Sequence, residues 1–206
     1  MKKLSRVLSL FAFLFLLPLC ANATTVDFYT DGTITDGDSY TTVNIWDTAT
    51  VDMTGGNVSA CNINNFASLI SDNGSIGIIA CCDNSTADIL GGSFDVAYLA
   101  EDSKMCIYGG IWSNGTDIDI YMYDNSELHI FGYDLEHTDQ YILHGRTLDA
   151  ITGYWENGQE FTIILSGPAV DNYFLHEIPE PSTMSLLSLC AFFIKKAKHG
   201  MRTSII

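Results

Sequence analysis

The chain reads as an all-β protein, a parallel β-solenoid with a short C-terminal β cap. It is flanked by a signal peptide and a C-terminal transmembrane segment. Three observations lead there. Gly37, Gly55, Asn73, Gly91 and Gly109 stand 18 residues apart, and Gly132 follows after 23. The stretches "VDMTGGNV", "ADILGGSF", "MCIYGGIW" and "LHIFGYDL" recur around those points. A second set, "IWDTAT", "CCDNST", "LAEDSK" and "MYDNSE", keeps step with the first. A fixed period of this kind marks stacked structural repeats.

Within each unit apolar residues alternate with others, the period of a strand with one buried face. Val51, Ala87, Met105 and Leu128 share one inward slot, and Met53, Ile89, Ile107 and Ile130 share the next. Val58, Ile76, Phe94, Ile111 and Leu135 share the last. A glycine repeated at one slot implies positive φ or a close backbone approach. Asn73 in that slot fits the first requirement, since asparagine tolerates the left-handed region next best. Asp-Asn-Ser and Asp-Thr-Ala supply the other turns. A rung of this length cannot bury its apolar face alone, so roughly five or six rungs must stack. An antiparallel meander also has short strands and regular turns, but the constant step and the double register favour the solenoid. The longer last interval places an insertion near Ser113-Asn114-Gly115-Thr116.

Taken in chain order, residues 1–23 form the signal peptide. Lys2, Lys3 and Arg6 are its basic head, Leu8 to Leu19 its apolar run, and Ala21-Asn22-Ala23 its cleavage site. The run is shorter than the ~20 residues of a spanning helix. Leu17-Pro18-Leu19 lacks the small residue expected before a lipid-modified Cys20. Residues 24–140 carry the solenoid. Residues 141–178 form the cap, strands parted by turns at His144-Gly145 and Glu156-Asn157-Gly158. The cap covers an edge that would otherwise pair with other chains. Residues 179–206 form a tail.

Charge narrows the function. Between Thr24 and Ile178 there are 24 acids against Lys104 and Arg146, a net of −22. Such a surface repels phosphates and anionic polymers, which excludes nucleic acid as a partner. Asp36-Gly37-Asp38 and Asp117-Ile118-Asp119 pair carboxylates in a manner suited to calcium, against the simpler reading of solvated turns. "GGSFDVAYL" fails as a glycine-rich calcium repeat because Phe94 fills a glycine slot. No G-x-S-x-G elbow is present, and His129, His137, His144 and His176 show no metal spacing. Tyr98, Tyr108, Tyr121, Tyr123, Tyr133 and Trp112 suggest either a ladder for sugar rings or stacking on one another. Cys61, Cys81, Cys82 and Cys106 allow three pairings, and the alternative of buried free thiols stays open beside them. The chain therefore reads as non-enzymatic and without a cofactor. A carbohydrate-active enzyme, or a cation- or carbohydrate-binding module, is the alternative on the same scaffold.

The tail has three parts. Pro179-Glu180-Pro181-Ser182-Thr183 is stiff and extended. Met184 to Ile194 is apolar, and Lys195, Lys196 and Lys198, with Arg202 beyond, form a membrane stop on the positive-inside rule. At these residues the sequence resembles the PEP-CTERM sorting signal of exported bacterial proteins. The resemblance implies an exosortase-like membrane protease as partner, cleavage near the Pro-Glu-Pro, and delivery to the cell surface or to an extracellular polysaccharide matrix. The apolar run is only 11 residues long, and lysines rather than arginines lead the basic end.

Overall fold

The fold is given by a computed structural model of the chain, which describes residues 24–112 and 119–180. Among these there is no helix. The strands are β1 (Thr25–Phe28), β2 (Gly32–Ile34), β3 (Ser39–Ile45), β4 (Thr50–Ile63), β5 (Ser68–Cys81), β6 (Thr86–Ile89) and β7 (Ser93–Leu99). They continue as β8 (Lys104–Ile107), β9 (Ile111–Trp112), β10 (Ile120–Met122), β11 (Glu127–Leu143), β12 (Arg146–Tyr154), β13 (Glu160–Ser166) and β14 (Tyr173–Glu177).

The expected parallel solenoid is present, with about five turns. Val51 pairs with Leu69, Leu69 with Ala87 and Ala87 with Met105, each 18 residues on, and Met105 pairs with Leu128 after 23. The step lengthens between β9 and β10. That interval contains the expected insertion, residues 113–118, which lies outside the described residues. Each turn of the solenoid lays one strand on each of two faces. The first face carries β2, the leading halves of β4 and β5, then β6, β8, β11 and β14. The second carries β1, β3, the trailing halves of β4 and β5, then β7, β10 and β13.

Inward side chains of both faces form continuous ladders. One runs Met53, Ser71, Ile89, Ile107, Ile130, another Val43, Cys61, Ile79, Ala97, Ile120, and a third Ile45, Ile63, Cys81, Leu99, Met122. All of these are buried. Ser71 breaks the apolar pattern of its ladder, which is why its rung was hard to see among the recurring motifs. One expected core position is wrong. Ile111 is 56% exposed, and Trp112 instead pairs with Phe94 and stacks on it at 5.1 Å. The register places the inward slot 18 residues after Phe94, and Ile111 falls one short of it, on the opposite side of the strand.

Two kinds of corner join the faces. At the glycine corner the requirements are split between two neighbours. A side chain on Gly109 would meet the Leu90 carbonyl oxygen at 2.6 Å, whereas Gly110 holds φ at +104°. The same division corrects the reading of Asn73. Positive φ belongs to Gly74, at +100°, and Asn73 is not left-handed. The other corner holds the acid of the second recurring motif. Asp47, Asn65, Asp83, Glu101 and Asp124 all have φ between 55° and 61°. Each sits second in a four-residue turn closed by a backbone bond, such as Ser85 N–H to the Cys82 carbonyl at 3.2 Å. The fourth turn position, Ala49, Ala67, Ser85, Ser103 and Ser126, points inward and is buried.

The last part of the chain closes the stack. β11 continues past residue 141 and turns back through His144 and Gly145, both at positive φ, into antiparallel β12. β12 pairs with β13, which returns to lie parallel on β10, and β14 lies parallel on β11. Trp155, buried at the turn between β12 and β13, stacks on Phe161 at 3.7 Å and donates Nε1–H to the Gly110 carbonyl at 3.0 Å. The cap is thereby fastened to a glycine corner of the solenoid.

Two substitutions test this account by denaturant unfolding. Gly110→Ala, forced against both its φ and the Phe94 ring 3.0 Å from the new methyl, is expected to destabilise by about 1–3 kcal/mol. Ile107→Ala, which opens a hole in a fully buried ladder, is expected to cost about 2–5 kcal/mol.

Candidate functional site

The tail begins where backbone pairing ends. Ile178 N–H donates to the Gly132 carbonyl at 2.7 Å, the last such bond along β14. The next residue is Pro179, which has no N–H to continue the ladder. Pro179 and Glu180 are exposed. The rest of the sorting motif, Pro181, Ser182 and Thr183, lies outside the described residues, as do Lys195, Lys196, Lys198, the apolar run and the signal peptide of residues 1–23. No helix among the described residues is long and apolar enough to cross a membrane.

The carboxylates proposed for calcium are engaged structurally. Asp38 Oδ2 accepts from Thr35 N–H at 2.7 Å, closing a local turn. Asp119 is fully buried, and its Oδ2 accepts from Ile164 N–H at 2.8 Å. It thereby locks β13 onto β10. Asp117 lies outside the described residues. The acids of the turn corner serve the backbone too: Asp83 Oδ2 accepts from Asn65 N–H at 3.0 Å, and Glu101 Oε2 from Asp83 N–H at 2.7 Å. Among the described residues no group of three or more His, Cys, Asp or Glu side chains is placed to hold a metal ion.

The aromatic residues stack along the solenoid axis, because in-register rungs bring like positions together. Tyr98 lies on Tyr121 at 5.0 Å, Tyr108 on Phe131 at 4.3 Å, and Tyr133 on Tyr154 at 5.4 Å. Tyr98 and Tyr108 are 38% and 39% exposed, but their ring faces are covered in part by one another, leaving edges toward solvent. A groove of about 780 Å³ runs beside them, between the glycine corners and the β12–β13 turn. Exposed Leu90, Tyr108 and Ile111 form its apolar floor, with Glu156, Asn157 and Gln159 on its rim.

One constellation was not visible in the sequence. On the outer surface of the first face, Cys106 pairs in register with His129, and His129 with Phe174. His129 Nδ1 lies 2.9 Å from His176 Nε2, and His129 Nε2 lies 3.2 Å from Glu127 Oε2. Lys104 Nζ is 3.9 Å from the same carboxylate oxygen. A thiol beside a histidine and a carboxylate suggests nucleophilic chemistry, yet both nitrogens of His129 already have partners. The Cys106 thiol is pushed up to about 11, first by burial and next by Asp88, with Lys104 opposing. It stays protonated at neutral pH. The 47-residue separation of His129 and His176 concealed the pair, since only the return of β14 onto β11 joins them.

All four described cysteines are free. Cys61 and Cys81 both point inward, but Cys61 faces Ile79 and Cys81 faces Ile63 across the same two rungs. Their Cα atoms are thus diagonal neighbours, about 8 Å apart from strand spacing and rise, and disulfides are rarely found beyond about 7 Å. Cys82 lies in a turn and Cys106 on the outer surface of β8. Burial pushes the Cys61 thiol up to about 12 and raises Cys81 further.

Comparison with protein-family models, with curated proteins and with solved structures returns no match. The functional reading therefore rests on residues and geometry.

Without reductant, the exported chain is expected to alkylate slowly at Cys82 and Cys106, and at Cys61 and Cys81 only after unfolding. Peptide mass mapping reads this, and a disulfide-linked peptide would contradict it. Asp119→Ala leaves the Ile164 amide without its acceptor and is expected to cost about 1–3 kcal/mol. Asp119→Asn, which keeps an acceptor oxygen, should lose less of the thermal midpoint than Asp119→Ala.

Proposed function

We propose that this chain is a non-enzymatic exported protein of the cell surface or extracellular matrix, delivered through its PEP-CTERM-like tail. In this reading the solenoid is a stiff, acidic body and the tail is its address. One observation carries most weight. The folded body ends at the Ile178–Gly132 bond, and the Pro-Glu-Pro starts at the next residue, exposed. A protease needs an extended segment free of the sheet, and a proline directly after the last paired residue provides one. Cleavage there removes no strand of the solenoid or its cap.

The composition of the body supports the same reading. A net of −22 between Thr24 and Ile178 keeps such a body soluble outside the cell and away from nucleic acid. An exosortase-like protease is the partner during export, and an extracellular polysaccharide or matrix is the partner afterwards. The carbohydrate-active enzyme and the cation- or sugar-binding module draw less support. The acids examined have structural work in the turns, and the exposed rings are partly covered by one another.

The test is the mass of the protein that reaches the surface, in a host carrying an exosortase and in one lacking it. Loss of the chain from about Pro179 onward, only in the first host, is the expected result. Replacing Pro179-Glu180-Pro181 with alanines should abolish that loss. A full-length mature chain held in the membrane of both hosts would mean that the tail is a plain anchor.

A further inference from the structure

We infer that the His129–His176 pair is an acid-released latch on β14, the last strand of the fold. Among the described residues β14 pairs with β11 alone. Its inward residues Tyr173 and Leu175 are only partly buried against the core. Its outward residues make the other contacts: Phe174 stacks on His129 at 4.7 Å, and His176 stacks on Phe131 at 4.3 Å. Between the two rings runs the 2.9 Å contact from His129 Nδ1 to His176 Nε2.

That contact limits the protons the docked strand accepts. With both rings neutral, His176 Nε2–H donates to His129 Nδ1, and His129 Nε2–H donates to Glu127. One added proton is tolerated, since either ring can donate to the other. A second is not, because two N–H groups then face each other at 2.9 Å with like charges on stacked rings. Undocking β14 separates the rings and lets both protonate.

The surrounding groups are few. On β11, Glu127 faces His129; on β8, Lys104, Cys106 and Tyr108 flank the pair; on β6, Asp88 lies beyond Cys106. On β14 itself Glu177 is turned away, its Oε1 accepting from Leu135 N–H at 2.9 Å. Asp171 and Asp149 lie near Tyr173, with Asp149 bonded to His137. Burial, then His129, then Lys104 hold His176 below the ordinary histidine value. A depressed histidine favours the docked strand fully above that ordinary value. The preference is lost as pH falls through about 6.5. Excluding one proton from the docked form multiplies the opening equilibrium by on the order of tenfold or more between pH 7 and pH 5. The inference concerns β14 alone and does not rest on how the tail is processed.

Amide hydrogen exchange on the exported chain at pH 7 and pH 5, corrected for the intrinsic pH dependence of exchange, tests this. Protection across Tyr173–Glu177 should fall about tenfold or more at pH 5, while protection in β5 holds. His176→Phe and His129→Phe each keep a ring in the stack and remove the second proton, so the pH response of β14 should vanish in both. Unchanged β14 protection at pH 5 overturns the latch. So does an acid loss shared equally by β5, or one that persists in both variants. If neither variant folds, imidazole titration of the unmodified chain by NMR decides. A second protonation step well below the ordinary histidine range supports the latch, and two independent ordinary titrations overturn it.

Discussion

The constraint on which the rest of this structure depends is the in-register hydrogen bonding of one rung to the next. Every strand of the solenoid satisfies its backbone through neighbours a fixed number of residues away. A single slip would carry inward side chains to the outside. The chain must therefore return to the same place on each turn, and it does so at two corners of different chemistry. One uses a pair of glycines, the first for close approach and the second for positive φ. The other holds an acid or asparagine in the left-handed region and closes a four-residue turn around it. Small residues then fit inside that turn, where a larger side chain would push the two faces apart.

Stacking also decides what the surface offers. Because like positions lie over like positions, outward tyrosines meet as ladders and turn carboxylates meet the amides of the preceding rung. Groups that look like ligands in a linear reading are thereby used in holding rungs together. The high acid content is compatible with stability because the described acids at this corner accept from backbone donors, and charge-assisted bonds of that type are among the stronger ones. The Asp119 carboxylate shows the principle in the interior, joining β10 to β13 through the Ile164 amide.

The open end of a solenoid is a hazard, and the C-terminal segment answers it at one end. β13 and β14 add a final parallel layer over β10 and β11. They are reached through an antiparallel excursion that Trp155 fastens to Gly110. This layer ends at Ile178, so the body is complete before the first proline of the tail. The only contacts holding its last strand from outside are the rings around His129 and His176, which places a titratable pair at the exit of the fold.

The sequence by itself determined the period, the parallel solenoid, the two corner types, most of the inward ladders and the two cap turns. It did so because stacked rungs repeat their demands at one spacing, and repeated demands leave repeated residues. Where a rung departs from the pattern, the reading faltered. Ser71 hid one rung, and the shorter step from Phe94 drew Ile111 into a slot that Trp112 fills. Asn73 was credited with a backbone role that belongs to Gly74, since neighbouring positions at a tight corner share one signature for two different reasons. Only the tertiary structure decided what has no repeat: the buried role of Asp119, the free state of the diagonal cysteines, and the meeting of His129 with His176. Those contacts join segments whose separation carries no period, so no spacing along the chain announces them.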